Sequence, residues 1–128
     1  PMHTPFDLVI RNARVATASD VFAADIGIRD GIIEQLGRAL PGGAREIDAA
    51  GGTVTPGGVD AHCHLDQPMA PPVRMADDFD TGTRSAACGG TTTVIPFAAQ
   101  EKGHSLQAAV DDYHRRAQGK AHVDYAFH

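Results

Sequence analysis

From Phe6 to Thr55 apolar residues come in short runs broken by turn formers, and no stripe with the period of a helix lasts beyond one turn. Phe6 to Arg11 and Arg14 to Thr17 carry the aliphatic residues of two strands, with a turn expected between them at Asn12-Ala13. Ile26 to Arg29 and Ile32 to Leu36 flank Asp30-Gly31, a pair that a two-residue hairpin favours because both central positions need positive φ. A loop rich in Gly and Pro, Gly37 to Gly43, leads to two more short strands, Arg45 to Asp48 and Thr53 to Thr55, separated by Ala50-Gly51-Gly52. Residues 1–56 therefore read as a small all-β segment. Pro1, ahead of Met2, reads as a cloning remnant and takes no part in it.

After Pro56 the periodicity changes. A strand is expected from Val59 to His64, then a loop holding Pro68, Pro71 and Pro72. Asp77-Asp78 open a helix, since their carboxylates accept from its free amides and suit the positive end of its dipole, and Gly89-Gly90 stop it. Thr91 to Ile95 is β-branched and predicts a strand. Ser105 caps a second helix in which Leu106, Val110, Tyr113 and Ala117 form one apolar stripe. On its outer face Asp111 and Asp112 stand four residues before Arg115 and Arg116, two favourable pairings. Gly119 ends the helix, and His122 to His128 predicts a third strand.

Strand, helix, strand, helix, strand is the grammar of parallel β/α units, which makes residues 57–128 a segment of α/β class. Closing a (β/α)8 barrel takes eight strands and about 250 residues. The chain accordingly reads as the N-terminal part of a larger enzyme: the small β segment, then the first three strands and two helices of a TIM barrel.

Composition narrows the partner. Eleven Lys and Arg against sixteen Asp and Glu give a net charge of -5, and no basic run occurs. That argues against nucleic acid or an anionic membrane, either of which needs concentrated positive charge, and leaves a small polar or neutral substrate. Apolar runs such as Val94 to Ala99 are far shorter than the roughly 18 residues of a membrane span, and no leader pattern opens the chain, so a soluble, cytoplasmic protein is expected. Cys63 and Cys88 form neither a disulfide framework nor a metal knuckle and read as free thiols.

The candidate chemistry lies in Gly57-Gly58-Val59-Asp60-Ala61-His62-Cys63-His64-Leu65-Asp66. On a strand Asp60, His62 and His64 share one face and Cys63 points to the other, so two imidazoles converge from one element. Neutral imidazole is a good zinc ligand. Seven histidines make a chance His-X-His common, and its weight comes from position: the C-terminal end of the first β/α strand is where barrel enzymes build their sites. Asp60, on the same face, is equally a candidate site residue and a candidate for orienting an imidazole or a backbone amide, while His128 ends a strand and reads as a packing residue. His104, His114 and His122 read as solvated.

These residues resemble the amidohydrolase superfamily, in its dihydropyrimidinase and hydantoinase branch. Thr55 to Leu65 looks like that family's first barrel strand, and Asp77-Asp78-Phe79, Gly82-Thr83 and Gly89-Gly90-Thr91-Thr92 look like its following helix and second strand. The segment before Pro56 is similar to the small β-sandwich these enzymes carry. The resemblance implies hydrolytic opening of a hydantoin or dihydropyrimidine ring at a site holding two Zn²⁺, with Mn²⁺ or Co²⁺ as substitutes, in a homotetramer. It assigns His62 and His64 as two metal ligands and leaves no catalytic residue within this chain, the remaining ligands and the proton-shuttling aspartate belonging to later strands. It also makes Leu65 to Met75 and Phe97 to His104 the specificity segments, with Leu65 and Gln67 facing substrate. Asp66 and Gln67 stand where dihydroorotases carry a carboxylate-binding arginine, and Pro96 where many relatives have an acidic residue. The alternatives are an allantoinase or dihydroorotase relative and a non-catalytic homologue serving as an assembly module.

Overall fold

The computed structural model describes residues 5–128; Pro1 and Met2, where a cloning remnant is expected, lie outside them. The chain divides into two compact units, the second beginning at Gly57.

The first unit is one five-stranded sheet. Its strands are β1 (Phe6–Ala16), β2 (Val21–Arg29), β3 (Ile32–Gly37), β4 (Gly43–Asp48) and β5 (Thr53–Val54). The order is β3-β2-β1-β4, with β5 also pairing β1, and β4 and β5 both run parallel to β1. Asp30 (φ 50°) and Gly31 (φ 75°) make the expected hairpin between β2 and β3. The sandwich-like arrangement is not found among the described residues: β4 and β5 add to successive halves of β1 instead of forming a second layer.

Asn12-Ala13 is likewise not a turn. β1 runs straight through, and pairing with β2 jumps from Ile10↔Ile26 to Ala13↔Ala24, a bulge that Asn12 makes by taking φ 54°. Polar partners hold it: the Asn12 amide donates to Asp25 Oδ1 at 3.0 Å and its side chain donates to Asp48 Oδ1 at 2.9 Å. Asp25, a buried carboxylate, also accepts from the Arg11 guanidinium at 3.0 Å and the Leu40 amide at 3.2 Å. The Asn12 amide foremost, with Arg11 and Leu40, holds its carboxyl below the usual range against the opposing effect of burial. A depressed carboxyl contributes stability that is fully present above the unfolded value near pH 4 and is lost as pH falls through the folded one. Asp25→Asn is therefore expected to flatten the loss of thermal stability below about pH 4. Acid melting curves of the two proteins that run parallel would contradict this.

The second unit is a parallel sheet, β6 (Gly58–Cys63), β7 (Thr91–Pro96) and β8 (Asp124–Tyr125), connected by α1 (Phe79–Cys88) and α2 (Leu106–Ala117). Asp78 caps α1 by accepting from the Asp80 and Thr81 amides at 3.0 and 2.9 Å, while Thr81 Oγ1 accepts in return from the Asp78 amide. Ser105 caps α2 through the Ala108 amide. The regular part of β8 is shorter than the expected His122 to His128, but extended pairing continues through Ala126 N–H to Val94 O and His128 N–H to Pro96 O, both 3.1 Å.

Both helices pack on the same face of this sheet. Phe127 reaches Phe79 of α1 at 6.2 Å and Tyr113 of α2 at 5.8 Å between ring centroids, over a core of Leu65, Val94, Ala98 and Ala117. Two details of α2 differ from expectation. Leu106 is exposed and stands outside the apolar cluster, and Asp112 alone takes both Arg115 and Arg116 while Asp111 accepts from Gln107. His122, expected to be solvated, contacts Asp80 at 2.7 Å from an exposed position. His114 is also exposed but lays an edge against Phe127 at 4.9 Å.

Thr83, fully buried on α1, ties that helix to the segment entering β8. Its hydroxyl donates to Phe79 O and accepts from the His122 amide at 2.9 Å. Thr83→Val keeps the shape but leaves that amide unpaired, so unfolding of the full-length protein should show a loss of about 1–3 kcal/mol, with Thr83→Ser near wild type. Equal stability of the valine and serine variants would contradict it.

Candidate metal site

The sequence places small residues before the histidines so that β6 can lie against β7. A Cβ on Gly57 would meet Thr92 Cβ at 2.7 Å, an atom that no rotamer change can move aside. From there β6 carries Asp60, Ala61 and His62 to the C-terminal end of the sheet, and His64 lies one residue past the last strand position.

The imidazoles of His62 and His64 come together, their centroids 5.8 Å apart at 71°, and both are exposed in this unit. His64 Nδ1 lies 2.6 Å from Gln67 Oε1. A carbonyl oxygen only accepts, so Nδ1 carries the hydrogen and Nε2 keeps a bare lone pair available to a metal. Asp60 turns its carboxylate forward along the chain, where Oδ1 accepts from the His62 amide at 3.1 Å; of its two candidate partners, an imidazole or a backbone amide, it takes the amide.

Cys63 points the other way and packs half-buried against the core. Burial, followed by the charge of Asp60, pushes its thiol up, so it offers no thiolate to the histidine side. Leu65, expected to face substrate, is buried in the helix-side core against Gly82, whose missing Cβ makes room for the leucine methyl. The polypeptide turns at Asp66 (φ 48°), which sends Leu65 inward and leaves Gln67 free to reach back to His64. Gln67 thus orients a histidine in this unit.

Phe97, which the sequence places only at the start of a specificity segment, lies among the histidines. Its ring sits 4.7 Å from His62, 5.2 Å from His64 and 4.8 Å from His128, nearly parallel to the last two. The available signal was its place directly after Pro96, the last residue of β7, where alternation from buried Pro96 turns the next side chain to the histidine face. His128 joins the same face, opposite Phe127, and donates from Nε2 to Ala61 O at 2.7 Å.

Among the described residues no group of three or more His, Cys, Asp or Glu side chains is arranged to hold a metal ion. The pair fits such an ion in donor chemistry, with His64 Nδ1 engaged by Gln67 and Nε2 left to face it.

Residues 53–123 match the family model described as "Amidohydrolase family", and residues 2–54 that of the urease alpha-subunit N-terminal domain. D-hydantoinase of Geobacillus stearothermophilus is 48% identical over 121 residues, covering 94% of this chain and 26% of that protein. Dihydropyrimidinase of Rattus norvegicus is 41% identical over 127 residues, covering 94% of this chain and 24% of that protein. A solved structure of D-hydantoinase superposes with a TM-score of 0.91 at 46% identity, over 96% of this chain and 27% of that one. This chain thus spans about a quarter of the length of these relatives. The match over 53–123, more than half of the chain, embraces the histidine pair and both helices, and the chain belongs to the amidohydrolase family.

Proposed function

We propose that the full-length protein opens a hydantoin or dihydropyrimidine ring by metal-dependent hydrolysis, with His62 and His64 as two of the metal ligands. The observation that carries this is the pair itself: two imidazoles side by side at the C-terminal end of a parallel strand, one held by Gln67 with Nε2 free. Likeness to D-hydantoinases and dihydropyrimidinases supplies the substrate class. Both helices lie on one face of three parallel strands, the arrangement a (β/α)8 barrel repeats, and we take this unit to be the start of such a barrel.

Zinc, two ions in the complete site, would lower the pKa of a bound water and polarise the ring carbonyl. The part of this chain is to present two imidazoles in a fixed tautomer and direction, while Phe97 covers them with an apolar ring. Asp66 favours a ring without a carboxylate: it sets an anion where dihydroorotases carry an arginine, and its carbonyl and carboxylate both engage Arg116, at 3.2 and 3.6 Å. We further take the enzyme to be a cytoplasmic homo-oligomer; no described helix is long and apolar enough to cross a membrane.

Assaying the full-length protein on 5-substituted hydantoins, dihydrouracil, allantoin and dihydroorotate ranks the substrates. Turnover of the first two is expected. Turnover confined to allantoin or dihydroorotate, or none with metal supplied, would overturn the proposal.

A further inference from the structure

We propose that His128 is a positioning residue for His62, clamping together with Asp60 the single peptide unit that joins Ala61 to His62; this rests on the proposal that His62 and His64 bind metal. Pairing of β6 with β7 passes from Asp60↔Val94 to Cys63↔Pro96, so Ala61 and His62 stand opposite Ile95 alone. Such a bulge re-aims a side chain but takes backbone groups out of the ladder. Here the two groups concerned, Ala61 C=O and His62 N–H, belong to one planar peptide. Asp60 Oδ1 accepts the N–H at 3.1 Å, and His128 Nε2 donates to the C=O at 2.7 Å.

Two bonds at opposite edges of one plane oppose its rotation about the chain, and that rotation sets the direction of the His62 Cα–Cβ bond. His128 is itself well held for this task. Its amide donates to Pro96 O and its carbonyl accepts from the Ala98 amide, both at 3.1 Å, and its ring lies 21° from parallel with Phe97. With Nε2 engaged by Ala61 and Phe97 between it and His64, His128 is not a third ligand of the pair.

The test compares wild type, H128F and H128Q in the full-length protein. Phenylalanine keeps the stack on Phe97 and loses the donor, while glutamine keeps an N–H donor. In metal-free protein, hydrogen exchange at the His62 amide should rise about tenfold in H128F and stay near wild type in H128Q, the effect of one hydrogen bond. With Co²⁺ as probe, H128F should bind about 10- to 100-fold more weakly with an altered visible spectrum, and H128Q should restore both. H128F indistinguishable from wild type in exchange would overturn the clamp, as would equal losses in H128F and H128Q, which would point to ring packing instead. Wild type that takes up no Co²⁺ would overturn the ligand assignment, while the exchange data still decide whether the clamp exists.

Discussion

Replacing both His62 and His64 by alanine in the full-length protein is expected to strip one metal ion and lower ring-opening turnover by about 10³-fold or more. The magnitude follows from the several kcal/mol that a Lewis acid contributes to such a step, at one factor of ten per 1.4 kcal/mol. The fold should survive, because neither side chain joins the apolar cluster beneath the sheet. Circular dichroism and melting near wild type, together with a fall in metal per protomer, would separate loss of the ion from loss of structure. Gln67→Leu should have a smaller effect of the same kind, about 10- to 100-fold in metal affinity, because it frees the His64 ring without removing it. A double alanine variant that keeps wild-type metal content would contradict the assignment of these ligands.

Phe79→Ala is expected to be the most destabilising single change in the second unit, at about 3–5 kcal/mol. Phe79 is fully buried at the first position of α1, and its ring centroid lies 6.0 Å from that of Tyr125 and 6.2 Å from that of Phe127. Truncation removes the side chain that seats α1 on β8 and leaves a cavity that residues anchored on a strand cannot collapse to fill. Phe79→Leu should cost less, about 1–1.5 kcal/mol, since most of the apolar volume remains. Urea unfolding of the full-length variants checks both. An alanine variant within 1 kcal/mol of wild type would contradict the central place given to Phe79.

Local chemistry made much of this architecture legible in the sequence. Asp30-Gly31, the Asp78 and Ser105 caps and the run of β-branched residues at Thr91 each act within a few residues, and the structure has the hairpin, helices and strand they imply. What depended on distant partners was less visible. Asn12 makes a bulge and not a turn because Asp25 and Asp48, on other strands, bind it there. Leu65 turns inward because Asp66 bends the chain and Gly82 leaves space, neither of which a strand-end motif reveals. At the candidate site the two histidines could be read from spacing, but the groups that aim them could not. Gln67 acts through a loop, Phe97 from just past the end of β7, and His128 reaches Ala61 across 67 positions of sequence.

Anomalous diffraction from crystals of the metal-loaded full-length protein decides whether the histidine pair is a metal site. A metal peak is expected within ligand distance of both His62 and His64, with the His64 bond made by Nε2 while Nδ1 stays on Gln67. A metal bound elsewhere with both histidines turned away, or bound to His64 through Nδ1, would contradict it.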